Sequence, residues 1–114
     1  MRDDRERLLD ILHALEIIDT YLSGSKLLHE VREIEFLGVV KCLETIGEAI
    51  RYLSDSLKNK YSEIPWRQIA NMCNVLAHQY FKIDIEKVEK AVTEDLPKLK
   101  AQIESIISEF ELHP

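Results

Sequence analysis

Residues that turn a chain are scarce here: the 114 residues include three glycines and three prolines. So few exclude a fold of many short strands, which needs them at each reversal. Cysteine is nearly absent too, and neither Cys42 nor Cys73 has metal-ligand spacing around it. Both thiols fall inside helical patterns and read as reduced cysteines of a cytoplasmic protein, with a bridge between them as the alternative. No apolar run approaches the roughly 18 residues of a membrane span. The charged start Met1-Arg-Asp-Asp-Arg-Glu-Arg7 has no hydrophobic stretch behind it, so no signal peptide is expected. Gly-rich phosphate loops, nucleophile elbows and zinc spacings are missing as well. Nor is there an excess of positive charge. A formal charge of −6 argues against a broad non-specific grip on nucleic acid, while leaving room for a local basic groove or one created by dimerisation.

What is present is amphipathic helix. Hydrophobic residues make up 46% and charged residues 32% of a chain long enough for one domain, residues 1–114. A first helix is expected from about Asp4 to Leu22, with Leu8, Ile11, Leu12, Leu15, Ile18 and Leu22 on one face. Ser23-Gly24-Ser25 ends it and caps a long second helix running to about Lys58. That helix carries Phe36, Val40, Leu43, Ile46, Ile50, Leu53 and Leu57 at threes and fours. Gly47 inside the stripe costs roughly 1 kcal/mol relative to alanine, and marks a close approach of two helices or of two subunits. After a polar break at Asn59–Glu63, Pro65 opens a third, shorter helix that fades near Tyr80-Phe81. Asp84 caps a fourth, with Ile85, Val88, Val92, Leu99, Ile103, Ile106 and Phe110 inward. Pro97 is expected to kink or restart it, with Thr93 as the new cap. The fold class is all-α: an antiparallel up-and-down bundle of three long helices and one short one.

The short helix is the informative one. At about 100° per residue, Arg67, Asn71, Asn74 and His78 share a polar stripe, opposite Ile69, Met72, Cys73, Leu76 and Tyr80. His78 can give or take a proton at neutral pH, as general acid–base chemistry requires. The plainer reading is a histidine that bonds the last carbonyls of its helix, or one packed in the core. Asn74 could orient the imidazole or hold a phosphate oxygen, or simply satisfy backbone groups. Tyr80 is a core aromatic or a functional phenol, and spacing favours the former. Glu44 and Glu48 face one way, as paired carboxylates or a solvated face. His13, His29 and His113 are isolated. Cys73 and His78 lie about 140° apart around the helix, which separates a thiol from its would-be base.

The stretch Asn71-Met-Cys-Asn-Val-Leu-Ala-His-Gln-Tyr-Phe-Lys-Ile-Asp84 resembles the signature of the HepT-type HEPN proteins, in which Arg-x4-His-x-Tyr ends a helix. Leu43-Glu-Thr-Ile-Gly-Glu-Ala49, Ile64-Pro-Trp-Arg67 and Val92-Thr-Glu-Asp-Leu-Pro97 resemble the family in the same order. The resemblance implies an all-helical toxin of a toxin–antitoxin pair, acting as a metal-independent endoribonuclease without a cofactor. It implies a homodimer with a shared cleft, to which the apolar excess and Gly47 would contribute. It also implies a nucleotidyltransferase antitoxin, MNT, that attaches AMP to the motif tyrosine. On that match His78 is the general acid/base, Asn74 assists positioning, and Tyr80 is the modified residue.

One departure bears on activity. The motif arginine corresponds to Cys73, and a thiol cannot supply a fixed charged fork to a phosphate. Arg67 lies about 16 Å below His78 along the helix axis, too far to replace it within one subunit. Lys82 stands where the family often has glycine, and Lys41-Cys42 where it often has Arg-Asn. The chain is therefore expected to be an impaired ribonuclease toxin or, alternatively, a non-catalytic subunit that binds the antitoxin and accepts AMP on Tyr80.

Overall fold

Asp3 starts the first helix: its carboxylate accepts the backbone N–H of Glu6 at 2.9 Å, satisfying one of the orphan donors of a helix N-terminus. The computed structural model describes residues 3–21, 33–78 and 85–112. Helix α1 (Asp4–Tyr21) buries Leu8, Ile11, Leu15 and Ile18 against α2 (Glu33–Tyr52). On α2 the inward residues are Val40, Leu43, Ile46 and Ile50 of the expected stripe, together with Val39. Each fully buried leucine or isoleucine contributes about 1.5–3 kcal/mol over an exposed one. The start expected near Ser25 lies outside the described residues.

The second helix does not run on to Lys58. It ends at Tyr52, and a separate short helix α3 (Asp55–Lys60) follows. Ser54 causes the break. It is extended, and its hydroxyl accepts the N–H of Leu57 at 3.2 Å, capping α3. Its own N–H and Oγ donate to the two carboxylate oxygens of Asp4, at 2.9 and 2.5 Å. Leu53 and Leu57 are buried as expected, but on either side of a corner. Tyr61 to Pro65 then turn the chain, with Ile64 buried and the Trp66 indole N–H donating to the Tyr61 carbonyl at 3.1 Å. Pro65 accepts the Ile69 N–H at 3.0 Å and so sits at the mouth of α4 (Trp66–His78), where its missing N–H costs nothing.

Pro97 does not restart the last helix. Helix α5 (Ile85–Lys90) passes through a π turn (Ala91–Asp95) into α6 (Leu96–Leu112), with Lys90 and Leu96 both right-handed helical. Leu96 N–H reaches the Ala91 carbonyl, five residues back. This wider turn relieves the crowding that Pro97 would otherwise impose on the carbonyl four residues before it. Thr93 therefore lies inside the π turn rather than at a helix start. Leu96, Leu99, Ile103 and Ile106 face the core. The expected Asp84 cap, and the side chains of Ile85 and Val88, lie outside what is described.

Chain direction follows from which ends meet. Asp4 at the start of α1 holds Ser54 just past the end of α2. Asp19 near the end of α1 pairs with Lys100 early in α6 at 2.7 Å, while Arg5 meets Glu111 at 3.9 Å. Neighbouring long helices are thus antiparallel, and the architecture is an all-α bundle with no strand among the described residues. Nor is any described helix long and apolar enough to cross a membrane.

Candidate functional site

Helix α4 has two faces, set by its sequence. Trp66, Ala70, Cys73, Leu76 and Ala77 are buried, whereas Arg67, Asn71, Val75 and His78 are exposed and Asn74 is half-buried. The polar stripe expected from helical spacing therefore exists, and His78 stands at its open end in the last turn. Tyr80, the residue matched to the AMP acceptor, lies outside the described residues.

Small residues set the distance between α4 and α2. A Cβ placed on Gly47 would sit 3.3 Å from the Ala70 carbonyl oxygen, 3.3 Å from the Cys73 Cβ and 3.7 Å from the Asn74 nitrogen. Gly47 thus marks a close approach of two helices within one subunit. It carries nothing for a second copy of the chain. The same contact explains the environment of Cys73, whose side chain is 0% exposed. Burial pushes its thiol up to about 12, so at neutral pH it is a neutral, apolar-packed group. Cys42 is also buried and its thiol raised for the same reason. Both cysteines are free, which removes the bridge between them.

Other candidates separate cleanly. Glu44 pairs with Lys41 at 3.2 Å one turn earlier and Glu48 is exposed, which is the solvated-face arrangement rather than a carboxylate dyad. His13 is exposed on α1, and His29 and His113 lie outside the described residues. Sequence reasoning set Arg67 aside as too distant from His78 and gave no role to Arg51 or Lys58. The structure brings the three around one groove of about 400 Å³, at the corner where α2, α3 and α4 meet. The signal missed was the Ser54 corner, which turns α3 so that Lys58 Nζ reaches the Arg51 carbonyl at 3.3 Å.

An all-helical bundle with an amide-rich helix ending in an exposed histidine defines the general class. Comparison with known proteins places it: the family model described as Ribonuclease HepT-like matches residues 11–106, and the chain belongs to this family. It is 34% identical over 112 residues to a Thermococcus cleftensis protein named "Probable ribonuclease HepT", covering 92% of this chain and 96% of that one. It is 40% identical over 68 residues to a "Putative RNase" of Methanocaldococcus jannaschii; that match covers 60% of this chain and 62% of the relative. A second "Putative RNase" of that organism is 32% identical over 112 residues, 96% of this chain and 92% of the relative. No solved structure matches the chain.

Proposed function

We propose that this chain is the toxin subunit of a HepT/MNT-type toxin–antitoxin pair, a cytoplasmic homodimer of the endoribonuclease class. His78 acts as general acid/base, and catalysis is impaired because Cys73 replaces the motif arginine. The observation that carries this reading is the placement of His78. It is exposed at the end of a stripe with Arg67 and Asn71, in a chain of a ribonuclease family.

In this mechanism the His78 imidazole takes the proton of a ribose 2′-hydroxyl. The 2′-oxygen attacks the adjacent phosphorus, and the bond to the 5′-oxygen breaks. The departing 5′-oxygen takes that proton back from the His78 imidazolium, leaving a 2′,3′-cyclic phosphate and a 5′-hydroxyl. No metal takes part. Asn74, half-buried one turn before His78, is suited to hold a phosphate oxygen or steady the ring. Cys73 supplies nothing: it is turned into the core and neutral.

That same inward thiol favours a second reading, in which the subunit docks the nucleotidyltransferase and accepts AMP on Tyr80 without cutting RNA. There the phenol oxygen attacks the α-phosphorus of ATP and pyrophosphate leaves. AMP beside the cleft would repel RNA by charge and bulk.

Cleavage of bulk cellular RNA in EDTA by the wild type, His78→Ala and Cys73→Arg separates the two. General acid–base catalysis is worth about 10²–10⁴ in rate, so His78→Ala should abolish whatever the wild type does. Restoring the arginine should raise the rate by about 10²–10³. Because position 73 is buried, the variant's melting temperature is read alongside. If a folded Cys73→Arg does not cut, the nuclease reading falls. A mass gain of AMP in the presence of the antitoxin and ATP, lost in Tyr80→Phe, would then carry the second.

A further inference from the structure

The groove at the α2–α3–α4 corner combines features that are unusual on so acidic a chain. Arg51, Lys58, Arg67 and Asn71 line it, over a floor that includes Ile50 and Trp66. Among the described residues no carboxylate contributes to its lining, although the chain carries 21 acidic residues against 15 basic ones. Arg51 and Arg67 are exposed, and neither forms an ion pair among the described residues. The floor is firm, because Trp66 is buried with its indole N–H fixed on the Tyr61 carbonyl. Lys58 is anchored over the groove by its bond to the Arg51 carbonyl. A concave patch of unpaired guanidinium groups on a rigid floor suits a polyanion.

Its position says which one. Asn71 belongs both to the groove lining and to the exposed stripe of α4 that ends in His78. Arg67 and His78 differ by only about 20° around the helix and stand about 16 Å apart along it. A strand whose phosphates sit on Arg51 and Arg67 would therefore run along α4 toward His78, with a few nucleotides between. The chemistry proposed for His78 needs the 2′-oxygen, phosphorus and 5′-oxygen brought into line, which a flexible single strand allows and a stacked duplex resists. We infer that the Arg51/Lys58/Arg67 groove is a phosphate-binding track that positions single-stranded RNA, at a distance from the cleavage point, for the site proposed at His78. The inference rests on the ribonuclease reading of this family and extends it to residues outside the motif.

The test measures binding separately from cutting. In a His78→Ala background, Arg51→Gln/Arg67→Gln is compared with Lys90→Gln/Lys98→Gln, which removes two exposed cations from α5 and α6. The probe is a short fluorescein-labelled single-stranded oligoribonucleotide, titrated at several salt concentrations. For a single strand, every phosphate that the protein no longer neutralises should lower the slope of log K against log salt by about 0.7. The groove pair should weaken binding by about tenfold or more and lower the slope by about 1.4, while the control pair stays within about twofold. Arg51→Lys/Arg67→Lys should restore the slope, showing that charge and not folding is read. Equal effects of the two Gln pairs, no binding by the parent, or equal affinity for a duplex would each overturn the inference. Cleavage by the wild-type chain with a groove pair that binds normally would sink the track and leave the His78 mechanism standing. A salt-sensitive groove effect without cleavage would do the reverse.

Discussion

Position 73 faces two opposed demands. Chemistry of the kind proposed needs a cation there, yet the helix turns this side chain toward Gly47 and leaves it 0% exposed. A thiol satisfies packing alone. Its elevation to about 12, through burial, also makes stability depend on pH. The folded-state value lies above the unfolded one of 9.0, so the protonated thiol's contribution is complete below pH 9. It is lost as pH rises from there toward about 12, because the unfolded chain releases its proton first. Denaturant titrations at about pH 8 and about pH 11 should show the wild type losing stability, with a slope of up to ~1.4 kcal/mol per pH unit from this group. Cys73→Ala should lose less over the same interval. Tyr61 is also raised to about 12, chiefly by donating its hydroxyl to Glu109, but it is common to both proteins and cancels. Equal losses would mean that Cys73 reaches solvent. Periodicity alone had put Cys73 on the apolar side of α4 and His78 on the polar side, because the two faces differ so sharply in residue type. What it could not reveal was that Gly47 serves this contact, since a glycine in a stripe looks the same against a helix as against a second subunit.

At the scale of elements, the corner between α2 and α3 is the least legible and the most consequential. The apolar stripe runs through Leu53 and Leu57 at the same spacing as before, and no glycine or proline stands between Ile50 and Leu57. Helical spacing therefore reads straight through. The break comes from a partner 50 positions away: Asp4 takes both the N–H and the hydroxyl of Ser54 while Ser54 caps α3. A cap is worth about 0.5–2 kcal/mol and a hydrogen bond to a charged group about 1.5–3. Ser54→Ala should therefore cost roughly 2–3 kcal/mol, lowering the denaturant midpoint with the slope unchanged. Asp4→Ala spares the cap but removes both bonds to Ser54, so it should cost a comparable amount. A shift under about 0.5 kcal/mol for both would mean that the corner is held by Leu53 and Leu57 alone. The helix faces of α1, α2 and α6 were readable because each repeats an apolar residue every three or four positions. The π turn before Pro97 was not, because proline signals an interruption without saying whether a helix answers it by stopping or by widening.

The whole molecule separates what holds the fold from what would hold a nucleic acid. Its interior is mainly leucine, isoleucine, valine and alanine, joined by Cys42, Cys73 and Trp66, with no buried charged or polar residue among those described. Ion pairs such as Arg5–Glu111 at 3.9 Å and Lys60–Glu109 at 3.4 Å join the ends of helices, but their side chains are largely exposed. Exposed pairs contribute about 0–1 kcal/mol each and are screened by salt. A net charge of −6 adds self-repulsion, which salt also screens. The two effects oppose each other, so melting temperature should stay level or rise slightly as NaCl goes from about 20 mM to about 500 mM. RNA binding through the basic groove should fall steeply over the same range, since each bound phosphate carries its own salt penalty. One series of melts and titrations in matched buffers therefore gives two curves that should diverge. A melting temperature that drops with the affinity would mean that loss of folded protein, and not screening of the groove, explains the weaker binding.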